Sequence, residues 1–89
     1  MKVATIILNW NLPDVTDRLC EHLETYDADL TDIFVVEAGS DEHMLSRHTT
    51  WHANWPKACA EGLRYGRGMN YGLSRIWAEG RFTEYDAYF

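Results

Sequence analysis

The chain opens with a run of six residues, Val3 to Leu8, that are all apolar or β-branched and show no alternation with charged residues. A strand with one face in water alternates apolar and polar side chains, whereas a strand covered on both faces reads as a continuous apolar run. Such strands belong to parallel sheets whose two faces are covered by helices. The run therefore predicts the first strand of an α/β fold with a parallel sheet.

Helical and strand-like segments alternate after this first strand. In chain order the predicted elements are a helix near residues 13–26, a strand at 33–36, a short helix within 41–47, a strand at 49–53, a helix with a glycine-containing loop over about 66–80, and a strand that begins near 85. This is the order of a parallel α/β sheet with right-handed crossovers. We therefore predict one Rossmann-like parallel sheet with flanking helices over residues 1–89, truncated because its last strand looks cut off in mid-run.

Composition narrows the class of protein further. With 46% hydrophobic and 25% charged residues among 89, the chain is expected to fold as a globular domain. Its formal net charge of −6 opposes binding to nucleic acid. No apolar stretch approaches the roughly 20 residues of a membrane span, and no signal peptide is recognisable, so we expect no membrane span and a cytoplasmic location. Cys20 and Cys59 are expected to be buried or half-buried free thiols.

The residues that follow the predicted strands are candidates for binding, because ligands of open parallel sheets bind beyond the carboxyl ends of the strands. Glu37 ends the second predicted strand, where its carboxylate would accept hydrogen bonds from a base or ribose, or would simply be solvated. Trp10 offers an aromatic face to a nucleobase or packs in the core, and Asn11 offers an amide or caps the next helix. The residues alone leave these alternatives open.

A glycine-containing segment, R-Y-G-R-G-M-N-Y-G at residues 64–72, is the sharpest local motif. Glycines allow close approach of a backbone, and a helix start offers free amides and a positive dipole, so a phosphate or pyrophosphate would fit there. The alternative is a turn that only reverses the chain. The spacing differs from G-x-G-x-x-G and no Gly-Lys-Ser or Gly-Lys-Thr occurs, which argues against a simple dehydrogenase or kinase.

The other candidate groups are assigned structural roles. The three histidines within residues 43–52 lack a supporting Cys or carboxylate pattern, so no metal site is expected from them. Trp51, Trp55 and Trp77 are expected to lie in the core or an interface. No Ser/His/Asp or Cys/His arrangement is recognisable, and no catalytic residue is assigned.

Three segments together resemble one known family. The run V-A-T-I-I-L-N-W-N (residues 3–11) resembles the opening strand and turn of family 2 glycosyltransferases, and V-V-E-A-G-S-D-E (residues 35–42) resembles their V-V-D-N-G-S-x-D. The glycine-containing segment resembles the G-F-A-x-G-x-N-x-G of rhamnosyltransferase-like members. The three motifs occur in the family's order, and only the region from about 43 to 62 matches poorly.

The resemblance implies a GT-A fold and inverting transfer of a sugar from a nucleotide-diphospho-sugar donor to an acceptor that the sequence does not identify. It puts Asn9 and Trp10 beside the nucleoside and Glu37 at the acid that contacts the base. Met69 stands where many relatives have Arg, so Arg67 or its neighbour Arg64 would contact phosphate instead. The substrate-binding residues expected in this way are Asn9, Trp10, Glu37, Gly39, Ser40, Arg67, Gly68 and Asn70.

Relatives also carry an Asp-x-Asp-like metal motif at the end of the strand that the last residues begin. A divalent ion, Mg or Mn, is therefore expected for the full-length enzyme, with ligands outside this chain. Two other functions stay open. One is a non-catalytic nucleotide-binding or interaction module. The other is a nucleotidyltransferase-like protein, although the glycine-rich loop of such proteins usually follows the first strand, where this chain has Asn-Trp-Asn.

Overall fold

The structure is a computed structural model that describes residues 2–27 and 29–89. Its strands are β1 (Val3–Asn9), β2 (Thr31–Glu37), β3 (Thr49–His52) and β4 (Ala87–Tyr88). Its α-helices are α1 (Pro13–Asp27), α2 (Pro56–Glu61) and α3 (Tyr65–Ala78), and single 3₁₀ turns lie at Glu42–Met44 and Phe82–Glu84. The bounds of β1, α1, β2 and β3 agree with the predicted segments to within two residues.

The four strands form one parallel sheet in the order β3-β2-β1-β4. β1 is an inner strand that pairs with β2 from Val3↔Thr31 to Asn9↔Glu37 and with β4 at Val3 and Ala4. Helices pack on both faces of the sheet, which explains why β1 is apolar along its whole length. The predicted α/β fold with a parallel sheet and flanking helices is confirmed.

Two clusters of buried side chains occupy the two faces of the sheet. The larger lies under α3 and contains Ala4, Ile6, Phe34, Val36, Trp51, Ile76 and Tyr85. The smaller lies under α1 and joins Cys20 to Ile7 and Val35. Successive residues of β1 and β2 therefore point to opposite clusters, as the pleat of a strand requires.

A cluster of polar side chains around Asp32 lies at the edge of the sheet where the amino ends of the strands meet. Its carboxylate accepts hydrogen bonds from the Tyr85 hydroxyl at 2.6 Å and from Arg81 at 3.3 Å. The Arg81 guanidinium lies 5.1 Å above the ring of Phe34. The hydrogen bond from Tyr85, with the charges of Lys2 and Arg81, lowers the pKa of Asp32 despite its partial burial. These contacts attach the segment before β4 to β2.

The helix predicted within residues 66–80 is present, but the glycine-containing loop predicted ahead of it is wrong, because α3 already begins at Tyr65. Gly68 and Gly72 sit on the face of α3 that packs on the sheet. A Cβ at Gly68 would lie 2.7 Å from the Leu8 methyl carbons, and one at Gly72 would lie 3.0 Å from Ile6 Cγ2. These glycines therefore allow close packing of helix on sheet, and the packing outweighs their low helix propensity.

Other differences concern exposure and one additional helix. Helix α2 has no counterpart among the predicted elements, and the helix predicted within 41–47 is a single 3₁₀ turn. Trp77, expected in the core or an interface, is 68% exposed, and its ring packs edge-on against Phe82. Cys20 is buried and Cys59 is exposed, and both are free thiols. In the described ranges no helix is long and apolar enough to cross a membrane.

Candidate functional site

The loops that follow β1 and β2 are bound to each other at the carboxyl edge of the sheet, where the carboxyl ends of the strands lie. The Ala38 amide donates to the Asn9 carbonyl at 2.8 Å, and the Asn11 amide donates to Ser40 Oγ at 3.0 Å. The Leu63 amide donates to the Ala38 carbonyl at 3.0 Å, which adds the segment between α2 and α3. The structure therefore joins the loops after β1 and β2 directly, and it brings the residue just before the glycine-containing segment 64–72 to the same edge.

Glu37 is the centre of a buried polar network at this edge. The residue is 0% exposed, and its Oε1 accepts a hydrogen bond from Asn9 Nδ2 at 2.7 Å. Its Oε2 accepts two more, from the Ser46 amide at 2.9 Å and from Thr49 Oγ1 at 2.6 Å. A buried carboxylate needs such donors to offset the loss of hydration. The Glu37 carboxylate thus ties β1, β2 and the segment before β3 together.

Asn9 is 1% exposed and uses both ends of its amide. Its Oδ1 accepts from the Leu12 amide at 3.1 Å and from Thr16 Oγ1 at 2.9 Å, while Nδ2 also donates to the Met44 carbonyl at 3.2 Å. Asn9 therefore satisfies a free amide at the start of α1, a role that the sequence suggests for Asn11. The Asn11 side chain instead accepts a hydrogen bond from the Asp41 amide.

Neither Asn9 nor Glu37 presents its side chain to solvent in this arrangement. Their expected contacts with a nucleoside stay predictions. In the structure, the hydrogen bonds of Asn9 and Glu37 hold the loops after β1 and β2 in position. The signal for this role is present in the sequence, since a polar residue that ends a buried strand needs partners inside the protein when no ligand supplies them. The partners, however, come from segments far along the chain.

The network extends to α1 through Asp17. The Ser46 hydroxyl and the Arg47 amide both donate to Asp17 Oδ1, and Arg47 Nε donates to Oδ2 at 3.1 Å. The Ser46 hydrogen bond is the largest cause that lowers the pKa of Asp17, against an opposing effect of burial, and Arg47 lowers it further. The segment before β3 is thereby held by two carboxylates, one on β2 and one on α1.

Gly39 and Ser40 lie in the tight turn after β2. Gly39 has φ +94°, and a Cβ there would lie 1.9 Å from the Ala58 carbonyl oxygen, so only glycine fits against α2. Ser40 is buried, and its hydroxyl donates to the Asn9 carbonyl at 3.2 Å while accepting from the Asn11 amide. Gly39 therefore stabilises the turn by packing against α2, and Ser40 stabilises it by hydrogen bonds to the loop after β1.

An open pocket lies beside this turn, between α2 and the start of α3. Its volume is about 420 Å³, and we call it the cationic pocket; it is lined by Lys57, Glu61, Gly62, Arg64 and Arg67. Arg64 and Arg67 belong to the start of α3, where the first three amides have no acceptor within the helix, because the first intrahelical acceptor is the Arg64 carbonyl, bonded to the Gly68 amide. Cations and a helix start both favour an anion.

Trp10 connects the end of β1 to the rim of this pocket. The residue is 49% exposed, and its ring lies against Gly62, where a Cβ would be 3.0 Å from the ring carbons. Gly62 has φ +70°, a backbone conformation that side chains disfavour, so the ring can approach the backbone closely. The exposed part of the ring is available for stacking beside the pocket.

The third sequence motif contributes only in part. Arg67 lines the cationic pocket, whereas Gly68 is buried against β1 and Asn70 is exposed outside the lining of the pocket. Gly62 is absent from the predicted site, and so are two charged lining residues, Lys57 and Glu61. They lie four residues apart on α2, and the only signal for that helix in the sequence is Pro56 at a possible helix start.

The described ranges, 2–27 and 29–89, hold no group of three or more His, Cys, Asp or Glu side chains that converges to bind a metal ion. His52 Nε2 instead lies 3.1 Å from the Ser40 carbonyl, and His48 Nδ1 lies 3.5 Å from Glu24. These histidines have contacts within the fold.

Comparison of the chain with protein-family models, with curated proteins and with solved structures finds no match. The resemblance to family 2 glycosyltransferases therefore stays a prediction. Function must be inferred from the carboxyl edge of the sheet and the cationic pocket beside it.

Proposed function

We propose that this chain is the nucleotide-binding part of an inverting glycosyltransferase, and that it binds the diphosphate of a nucleotide-diphospho-sugar donor in the cationic pocket. One observation carries the proposal. Lys57, Arg64 and Arg67 line one pocket beside the carboxyl edge of a parallel sheet, next to the start of α3. Open parallel sheets bind their ligands at this edge.

The charges of the pocket favour an anion of high charge density. The chain as a whole carries a formal charge of −6, whereas the pocket is lined by three basic side chains and one acidic side chain. The pocket is therefore locally positive on a negatively charged protein. Arg64 and Arg67 can donate paired hydrogen bonds to phosphate oxygens, and Lys57 adds a point charge. In the part of the chain that the structure describes, none of these three cations forms a salt bridge with an acidic side chain.

The nucleobase is proposed to stack on the exposed part of the Trp10 ring, since aromatic faces bind bases of any identity. Asn9, Glu37, Gly39 and Ser40 serve this site by fixing the turns that carry Trp10 and support α2. We propose that these four residues position the binding groups and do not themselves contact the nucleotide.

The proposal extends to a parent enzyme that transfers the sugar to an acceptor in the cytoplasm. The divalent ion expected for that enzyme has no converging ligand set in residues 2–27 and 29–89. The residues present do not fit a metal site, so we assign the ion no role here. The diphosphate would instead be held by the cations and amides of the cationic pocket.

The test is a calorimetric titration of the chain with UDP, GDP and dTDP. We expect saturable binding of at least one of them, and we expect Arg67→Gln to weaken it about ten- to 150-fold, as for a lost hydrogen bond between charged groups. Arg75→Gln is the matched control, because Arg75 lies on the same helix but pairs with Glu79 at 3.8 Å. Absence of saturable binding to all three nucleotides, or equal loss in both variants, would contradict the proposal.

A further inference from the structure

The cationic pocket contains one residue that a plain phosphate site does not need. Glu61 lines the pocket together with three cations. A carboxylate beside a bound phosphate repels it, so Glu61 weakens the binding of a simple anion. A ligand that carries hydrogen-bond donors besides its phosphates would make use of this carboxylate.

Glu61 is not used to neutralise the cations around it. Within the described ranges, no salt bridge joins it to Lys57, Arg64 or Arg67 at 4.0 Å or less. Lys57 lies four residues before it on α2, a spacing at which opposite charges often pair, although this order of lysine and glutamate is the less favourable one. In residues 2–27 and 29–89 the four charged side chains therefore line the pocket without an ion pair among them.

The pocket is also larger than a diphosphate requires. Its volume of about 420 Å³ falls in the range of about 300 to 1,000 Å³ typical of pockets for small organic ligands. An ionised carboxylate only accepts hydrogen bonds, and the hydroxyl groups of a sugar donate them. A pocket lined by three cations and one hydrogen-bond acceptor is suited to a phosphorylated sugar.

We infer that Glu61 binds hydroxyl groups of the sugar unit of the donor, and that it makes the cationic pocket selective for a nucleotide-diphospho-sugar over the bare nucleoside diphosphate. This inference rests on the proposed function, because it assigns the phosphates to the same pocket. Glu61 is thus a specificity residue for the sugar, and Lys57, Arg64 and Arg67 bind the diphosphate.

The experiment compares the affinity of each sugar nucleotide with that of its own diphosphate. The probes are UDP-glucose with UDP, GDP-mannose with GDP, and dTDP-glucose with dTDP, each titrated into the wild type, Glu61→Gln and Glu61→Ala. For the pair that binds, we expect Glu61→Ala to strengthen diphosphate binding and to lower the preference for the sugar nucleotide about two- to tenfold. Glu61→Gln keeps an acceptor oxygen and should retain part of that preference.

Glu42→Gln is the matched control, since Glu42 is exposed and outside the lining of the pocket. It should leave the ratio of the two affinities unchanged. If a diphosphate binds but the ratio is the same in the wild type and both Glu61 variants, the inference is overturned while the proposed function stands. Each titration is run with and without Mg²⁺. If the two Glu61 variants lose nucleotide binding to the same extent, and the loss is seen only in the presence of Mg²⁺, then Glu61 binds the metal ion and the inference is overturned. If no diphosphate binds, both proposals fail.

Discussion

Replacement of Glu37 by glutamine tests whether the buried carboxylate holds the carboxyl edge together. Glutamine has the same shape, but one of its two ends is an NH₂ group that donates hydrogen bonds. Asn9 Nδ2 faces Oε1 at 2.7 Å, while the Ser46 amide and Thr49 Oγ1 face Oε2 at 2.9 and 2.6 Å. Either orientation of the new amide therefore places a donor against a donor.

The cost follows from which contact is lost. With NH₂ toward Asn9, one hydrogen bond is lost, and Asn9 cannot turn over without losing the bonds from Leu12 and Thr16 to its Oδ1. A hydrogen bond to a charged group contributes about 1.5 to 3 kcal/mol, and an unpaired buried donor adds a desolvation penalty. We expect Glu37→Gln to lower the free energy of unfolding by about 2 to 4 kcal/mol, out of the roughly 5 to 15 kcal/mol typical of a domain.

The assay is urea unfolding at pH 7 and 25 °C, followed by tryptophan fluorescence. Glu42→Gln is the control, because it makes the same chemical change at an exposed position and should shift the free energy by no more than about 0.5 kcal/mol. If Glu37→Gln is as stable as this control, the three donors do not depend on a carboxylate, and our account of the network is wrong.

Three further predictions concern the turn after β2, α3 and the response to acid. Gly39→Ala should cost about 3 kcal/mol or more, seen as a large fall in melting temperature, because φ is +94° and its Cβ would lie 1.9 Å from the Ala58 oxygen. Gly66→Ala should stabilise the chain by about 0.5 to 1 kcal/mol in urea unfolding, since the position is helical with nothing within 4 Å of a Cβ; a loss would contradict the assigned helix. The pKa of Asp17 is lowered by Ser46, so its contribution to stability is complete above its unfolded pKa of about 4 and is lost as pH falls through the lower folded value. Asp17→Asn should therefore flatten the fall in stability below pH 4, and an unchanged acid limb would refute this.

Much of the fold can be predicted because it depends on local patterns. The continuous apolar runs of β1 and β2, and the helical spacing of apolar residues in α1, are each complete within one segment. The end of α3 is predictable for the same reason, since Gly80 follows it with φ +72°. The rule that parallel sheets bind at their carboxyl edge then locates the candidate site from the order of the strands alone.

The start of α3 cannot be predicted in this way. Gly68 and Gly72 have the appearance of loop residues when only neighbours in the chain are considered. Their role depends on Leu8 and Ile6, more than 50 residues earlier, which approach too closely for a side chain. The positions of Lys57 and Glu61 cannot be predicted for the same reason. They line one pocket with Arg67 only because α2 and α3 are brought together in the folded chain.

The sequence by itself determined the class of fold, the order of its elements and the edge of the sheet where a ligand would bind, because hydrophobic periodicity and turn residues act over a few positions along the chain. Only the tertiary structure decided that Asn9 and Glu37 turn inward and that Arg67 faces a pocket with Lys57 and Arg64. Whether a polar side chain is satisfied by the protein or left for a ligand depends on which distant groups reach it, and those groups are set by packing.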